Sequence, residues 1–216
     1  MNWDLATCFK IIEKNQNFTL YFPKGILAFD GLRVLLFFLL KRMQHYQQKE
    51  DLDQFNSNMR KIYILLLDFK DFFDAQTGNF LLKNFHFFLK QGAKKNFNEL
   101  DKFLRDFEFV LREGDFYKNE RRRDAVLKEV AALKIRKKIV LFKKFLVKNF
   151  SYKEFLSKSL ELGIFLECFC PLFEMKSLDK LSRILEDKIF ETLIKKRKKF
   201  LKLLSKNSRN LKANKG

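Results

Sequence analysis

Apolar residues recur every three to four positions along almost the whole chain, and this spacing predicts helices. Trp3, Leu5, Phe9 and Ile12 begin the first one. "NFTLYFPKG" follows, with β-prone residues and then Pro23 and Gly25, and is expected to be an extended connector or one short strand. No second alternating segment exists to pair with it. The next helix is expected from about Gly25 to Glu50, apolar all round in its middle as a central bundle helix would be. Asp51 or Asp53 is placed to cap a third helix that runs through "RKIYILLLDFKDFFDAQ" to a turn at Thr77-Gly78. Asn79 then begins "NFLLKNFHFFLKQ", stopped by Gly92, and Asn96 or Asn98 caps "ELDKFLRDFEFVLRE", stopped by Gly114.

From Asp115 to Phe150 there is no Gly or Pro, which allows one helix of about 50 Å. Its stripe shifts partway. Val126, Val130 and Leu133 share one face; Ile135, Ile139, Phe142, Leu146 and Phe150 share another, nearly opposite. The expectation is an interruption near Ala131-Ala132 or a change of packing partner. Ser151 and Glu154 make a capping box for a helix that stops at Pro171. Ser177 is expected to cap a last helix with the stripe Leu178, Leu181, Leu185, Ile189 and Leu193. Beyond Ser205 the sequence "KNSRNLKANKG" shows no apolar stripe and is expected to fray. The fold expected is all-α: a single irregular bundle of seven or eight helices over residues 1–206, with a long basic helix and a flexible basic tail over 207–216.

Composition agrees with long helices and short turns, since the 216 residues include only two prolines and seven glycines. With 47% hydrophobic residues the chain is too apolar for general disorder. The run Ile26–Leu40 is the nearest approach to a membrane span, but it holds Asp30 and Arg33 and falls short of the roughly 18 apolar residues a span needs. "MNWDLATCFK" lacks the basic start and apolar run of a secretory signal. These features point to a cytoplasmic protein without a transmembrane segment.

Charge adds the main functional expectation. The formal net charge is +19, much of it lysine. AT-rich coding enriches Lys, Asn, Phe and Ile together, so a uniform excess would mean little. The excess is uneven. Residues 1–115 carry 17 Lys/Arg against 15 Asp/Glu, whereas residues 116–216 carry 28 against 11. A net of +2 beside a net of +17 points to an anionic partner for the second half.

Three clusters hold that charge. The first is Arg121, Arg122 and Arg123. The second lies in "LKIRKKIVLFKKFLVKNF" and includes Arg136, Lys137, Lys144 and Lys148. The third is Lys195, Lys196, Arg197, Lys198 and Lys199, continued by Lys202, Lys206, Arg209, Lys212 and Lys215. On a helical wheel the second cluster divides into an apolar seam (Ile135, Ile139, Phe142, Leu146, Phe150) and a basic back with Lys137, Lys144 and Lys148 on the far side. The seam is expected to face inward, which makes its phenylalanines core and not stacking platforms. A basic ridge of this kind suits phosphate contacts, where Lys and Arg displace condensed counterions, without base reading. The expected function is binding of a polyanion, foremost nucleic acid. The alternatives are a helical adaptor in a protein assembly and peripheral binding to an anionic membrane.

Enzyme signatures are scarce. The glycines are scattered singly, with no phosphate-binding loop and no nucleophile elbow. His45 and His86 sit in helical segments with no orienting motif. Cys8, Cys168 and Cys170 make an odd count without metal or redox spacing and read as reduced thiols. Asp68, Asp71 and Asp74 lie three apart, and the expectation for them is the solvated face opposite Leu66, Phe69 and Phe73 and not a metal site. No catalytic residue, cofactor or metal is therefore expected.

Overall fold

The spacing of apolar positions is realised as helices throughout. The computed structural model describes residues 4–15, 20–91, 97–113, 124–148, 151–186 and 197–213. Among them are nine α-helices and no strand. The chain divides into two compact units, residues 1–125 and 126–216.

Unit 1 holds α1 (Leu5–Lys14), α2 (Ala28–Gln48), α3 (Leu52–Asp68), α4 (Ala75–Gln91) and α5 (Phe97–Glu113). Asp4 caps α1, accepting from Thr7 N–H at 2.9 Å, and the stretch before α2 is a connector without helix. α2 is the central element: Val34, Leu35, Leu36, Phe37 and Leu40 are buried, on all sides of the helix. Its Arg33, also buried, does not close on Asp30. The guanidinium donates from Nε and Nη2 to Leu111 O at 2.9 and 2.6 Å and from Nη2 to Arg112 O at 2.7 Å. A cation is thereby held on the carbonyls that end α5, the negative end of that helix. Burial lowers the Arg33 pKa, while Asp30 and Glu113 act against the shift. A second polar bridge joins α1, α2 and α5. Lys41 Nζ lies 2.7 Å from Glu108 Oε2, and Arg112 donates to Glu108 Oε1 at 3.0 and 3.1 Å and also to Glu13. Arg112 stands 4.8 Å over the Phe37 ring.

Between α3 and α4 the structure departs from the expected boundary. α3 ends at Asp68, a 3-10 turn covers Lys70–Phe72, and Asp74 caps α4 by accepting from Gln76 and Thr77 N–H, each at 3.0 Å. Thr77 and Gly78 are thus inside the first turn of α4. Gly78 is buried, and a Cβ there would meet Phe73 Cβ at an ordinary contact distance of 3.5 Å, so the site does not require glycine for space. Asp68, Asp71 and Asp74 fall on a helix end, a 3-10 turn and a cap, not on one helix face. Leu66, Phe69 and Phe73 are buried as expected. α4 and α5 meet through aromatic edges: Phe85 lies 4.9 Å from Phe103 and 5.1 Å from Phe107. Asn98 lies within α5, and Asn96 lies outside the described residues.

Unit 2 holds α6 (Leu127–Val147), α7 (Tyr152–Phe169), a 3-10 turn (Cys170–Leu172), α8 (Lys176–Glu186) and α9 (Arg197–Ala213). α6 begins at Leu127, because Val126 takes extended backbone, so the uninterrupted helix from Asp115 is not formed. There is no break at Ala131-Ala132. Both alanines are buried, and the inward face runs on through Leu127, Ala131, Ile135, Ile139, Phe142 and Leu146. The small alanines let neighbouring helices approach, whereas Leu133, expected inside, is 46% exposed. Phe142 is the meeting point of three helices: its ring lies 5.9 Å from Phe155 of α7 and 6.1 Å, edge-on, from Phe200 of α9.

The capping box of α7 is present in full. Ser151 Oγ accepts from Glu154 N–H at 3.2 Å, and Glu154 Oε2 accepts from Ser151 N–H at 2.9 Å. Those hydrogen bonds, from the Ser151 backbone first, hold the Glu154 carboxyl below its ordinary pKa. Ser177 is not a cap: it lies inside α8 and donates to Asn207 Oδ1 at 2.8 Å. Leu178, Leu181 and Leu185 are buried; Ile189 and Leu193 lie outside the described residues.

The expected frayed tail is helix. α9 continues to Ala213 and buries Phe200, Leu204, Asn207 and Leu211. Asn207 is the reason the pattern was hidden. It occupies a stripe position usually apolar, fully buried, and donates from Nδ2 to Ser177 O and Leu203 O, each at 3.1 Å. Its amide is satisfied on both sides, so the polar residue costs little there.

Candidate anion-binding face

The candidate face lies in unit 2, which carries 24 Lys/Arg and 9 Asp/Glu, a net of +15, against +4 for unit 1 (21 and 17). It is built on α9 and α6. Along α9, Lys199, Lys202, Lys206 and Arg209 recur at intervals of three and four and are all exposed. At 100° per residue they fall within an arc of about 80°, directly opposite Phe200, Leu204 and Leu211. The burial of those three residues is what turns the lysines outward. The row from Lys199 to Arg209 is about 15 Å long. No acidic residue occurs after Glu191, so nothing within α9 neutralises it.

On α6 the same logic holds. The inward face through Ile135, Ile139, Phe142 and Leu146 leaves Lys137, Lys144 and Lys148 exposed on the far side. Arg136 and Lys143 are half-buried at one margin. Lys138, at the other, turns to α7: its Nζ stands 4.5 Å over the Phe165 ring and 3.9 Å from Glu161 Oε2. Lysines are not alone on the outer face. Leu133, Val140, Leu141 and Val147 are exposed among them, by 36% to 67%.

The two helices bring parts of two clusters together. A half-open groove of about 490 Å³ between α6 and α9 is lined by Val140, Lys143, Lys144, Val147, Ser205, Ser208 and Arg209. Lys144, from the second cluster, and Arg209, from the continuation of the third, therefore share one wall-to-wall site. Arg121, Arg122, Arg123, Lys195 and Lys196 lie outside the described residues, and so do the side chains of Arg197 and Lys198, whose backbone opens α9.

Sequence reasoning let the chain fray beyond Ser205, which put Lys206 and Arg209 in a tail and hid the ordered row that they form with Lys202. The signal was present: those three residues sit opposite Phe200, Leu204 and Leu211 at helical spacing, once Asn207 is admitted to the stripe. The thiols show no metal arrangement. Cys168 and Cys170 are buried and Cys8 half-buried, none of them in a disulfide, with burial pushing the Cys8 thiol up. Among the described residues no group of three His, Cys, Asp or Glu is placed to hold a metal ion. His86 is exposed and stacks on Tyr63 at 5.8 Å. No described helix is long and apolar enough to cross a membrane. Comparison with protein-family models, curated proteins and solved structures found no match.

Proposed function

We propose that the protein binds a polyanion, foremost nucleic acid, through phosphate contacts made by unit 2. The observation that carries this reading is the row Lys199, Lys202, Lys206 and Arg209, exposed along one side of α9 by the burial of the other. Lys137, Lys144 and Lys148 of α6 add cations to the same unit. Four cations along about 15 Å suit an extended backbone that carries one negative charge per about 1.7 Å of duplex axis. The row is built of lysine and arginine alone, and four cations spaced along one helix face suit phosphates, which fix position without carrying sequence information. Binding is therefore electrostatic and tolerant of sequence.

The test is a titration of the full chain against a generic duplex and a generic single strand at about 50 and 200 mM salt. Binding at low salt that weakens steeply at high salt, for unrelated sequences alike, is expected. Absence of binding at low salt, or affinity indifferent to salt, refutes the reading. Lys202→Glu with Lys206→Glu, both exposed, is expected to weaken binding by at least about tenfold with the fold intact.

A further inference from the structure

The apolar side chains on the outer face of α6 have no part in phosphate binding. Leu133, Val140, Leu141 and Val147 are 46, 36, 53 and 67% exposed. They alternate with Lys137, Lys144 and Lys148 over a strip of about 21 Å. Phosphates gain nothing from valine and leucine, so this strip needs a different occupant. Its lower half is concave, because Val140 and Val147 also line the α6–α9 groove beside Lys143, Lys144 and Arg209. No acidic residue lines that groove. The other groove of the unit, by contrast, mixes Glu167 and Asp179 with Arg183.

We propose that the strip and groove dock an acidic amphipathic helix of a partner protein. Three features select this occupant. The strip's length equals that of a helix of about 14 residues. A groove between two helices accepts the ridge of a third, in the helix-in-groove mode, whereas a bilayer presents a plane. Glu129 stands one turn before Leu133, but from Lys137 to Lys148 and across the groove to Arg209 the exposed charges beside the apolar side chains are positive, so the partner's polar margins must be acidic. A built phosphate site fits less well: the Ser205 hydroxyl already donates to Leu201 O at 2.8 Å and has no proton left for an anion. This inference is separable from the nucleic-acid reading, although Lys144 and Arg209 serve both. It turns on the valines and leucines of α6, where that reading turns on Lys199, Lys202 and Lys206 of α9.

The experiment uses the full chain and a fluorescein-labelled synthetic peptide of about 18 residues. The peptide carries Leu at i, i+3, i+4 and i+7 and Glu and Ala elsewhere. Its control is an isomer of identical composition with the leucines scattered round the helix. The striped peptide is expected to bind at least about tenfold more tightly than the isomer. Val140→Asn and Val147→Asn, which add no charge beside Lys144 and Arg209, are each expected to cut that preference at least about threefold while leaving duplex binding within about twofold. Lys202→Glu with Lys206→Glu is expected to do the reverse, so failure of one reading is visible separately from failure of the other. Both valines are exposed, and circular dichroism is the check that the variants fold; Val147→Asn alone, at the most exposed position, carries the test if Val140→Asn does not fold. Equal binding of the two isomers overturns the proposal, as does wild-type affinity in the Val147→Asn variant. Vesicles of 30% phosphatidylserine serve as the competing occupant. Valine-dependent vesicle binding with no preference for the striped peptide assigns the strip to lipid and also overturns it.

Discussion

At the residue scale, two polar side chains decide more than their share of the packing. Asn207 is fully buried in α9 and is held by three hydrogen bonds, two of them to Ser177 of α8. Asn207→Ala leaves the Ser177 hydroxyl without its acceptor and opens a cavity, so a loss of about 2–3 kcal/mol is expected in urea unfolding. A double-mutant cycle with Ser177→Ala should return a coupling of about 0.5–2 kcal/mol. Glu108 plays a similar part in unit 1. Burial pushes its carboxyl up, but the hydrogen bonds and charges of Lys41 and Arg112 outweigh burial, so its pKa lies below the ordinary 4.5. A carboxyl depressed in the folded state contributes stability that is present above its ordinary pKa and lost as the pH falls through the folded value. Unfolding midpoints of the wild type should therefore decline between about pH 5 and 3 by more than those of Glu108→Gln, which has no such proton to take up. Parallel declines in the two proteins would remove Glu108 from the acid response.

At the scale of elements, the helices themselves were legible and their ends were not. The stripe of α6 from Ile135 to Leu146, the all-round burial of α2 and the Ser151–Glu154 box follow directly from residue type and spacing. The errors have two physical origins: a residue at helical spacing was taken by nearby backbone, or a residue that looks local was fixed by a tertiary partner. Asp68, Asp71 and Asp74 match a helical period, but Asp74 is taken by the N–H groups of Gln76 and Thr77 and ends one helix to start the next. Ala131 and Ala132 resemble a weak point in the stripe, yet small side chains are what a close helix contact needs. Asn207 reads as tail because its partner, Ser177, is 30 residues away. The same misreading hid the candidate face, since the α9 lysines form a row only if α9 is a helix. Two substitutions test these elements. Leu211→Ala, in the segment that sequence alone assigns to a tail, is expected to cost about 2–4 kcal/mol, as for any buried leucine. Phe142→Ala, which vacates the junction of α6, α7 and α9, is expected to cost about 3–5 kcal/mol. A Leu211→Ala protein as stable as wild type would mean that α9 ends before it.

At the scale of the molecule, charge follows the units. The boundary between near-neutral and basic sequence, placed at residue 115 by counting, falls close to the division at residue 125, and unit 2 concentrates +15 in 91 residues. This distribution makes a quantitative demand on the proposed polyanion contact. For duplex DNA the slope of log affinity against log salt is about −0.9 for each phosphate neutralised. If Lys199, Lys202, Lys206 and Arg209 each meet one phosphate, the row alone contributes a slope of about −3.6. Lys137, Lys144 and Lys148 steepen it further only if the same duplex reaches α6. Removing two members of the row, with Lys202→Gln and Lys206→Gln, should flatten the slope by about 1.8 whatever the DNA sequence. Replacing Lys144 and Lys148 by Gln separates the two surfaces: a flattening of similar size places α6 on the duplex, and an unchanged slope confines the contact to α9. Gln is one atom shorter than Lys, uncharged and polar, and all four positions are exposed, so neither result is confounded by much lost packing. A pair of α9 substitutions that left the slope unchanged would locate the phosphates elsewhere in the molecule, and the row on α9 would have to be explained by something other than nucleic acid.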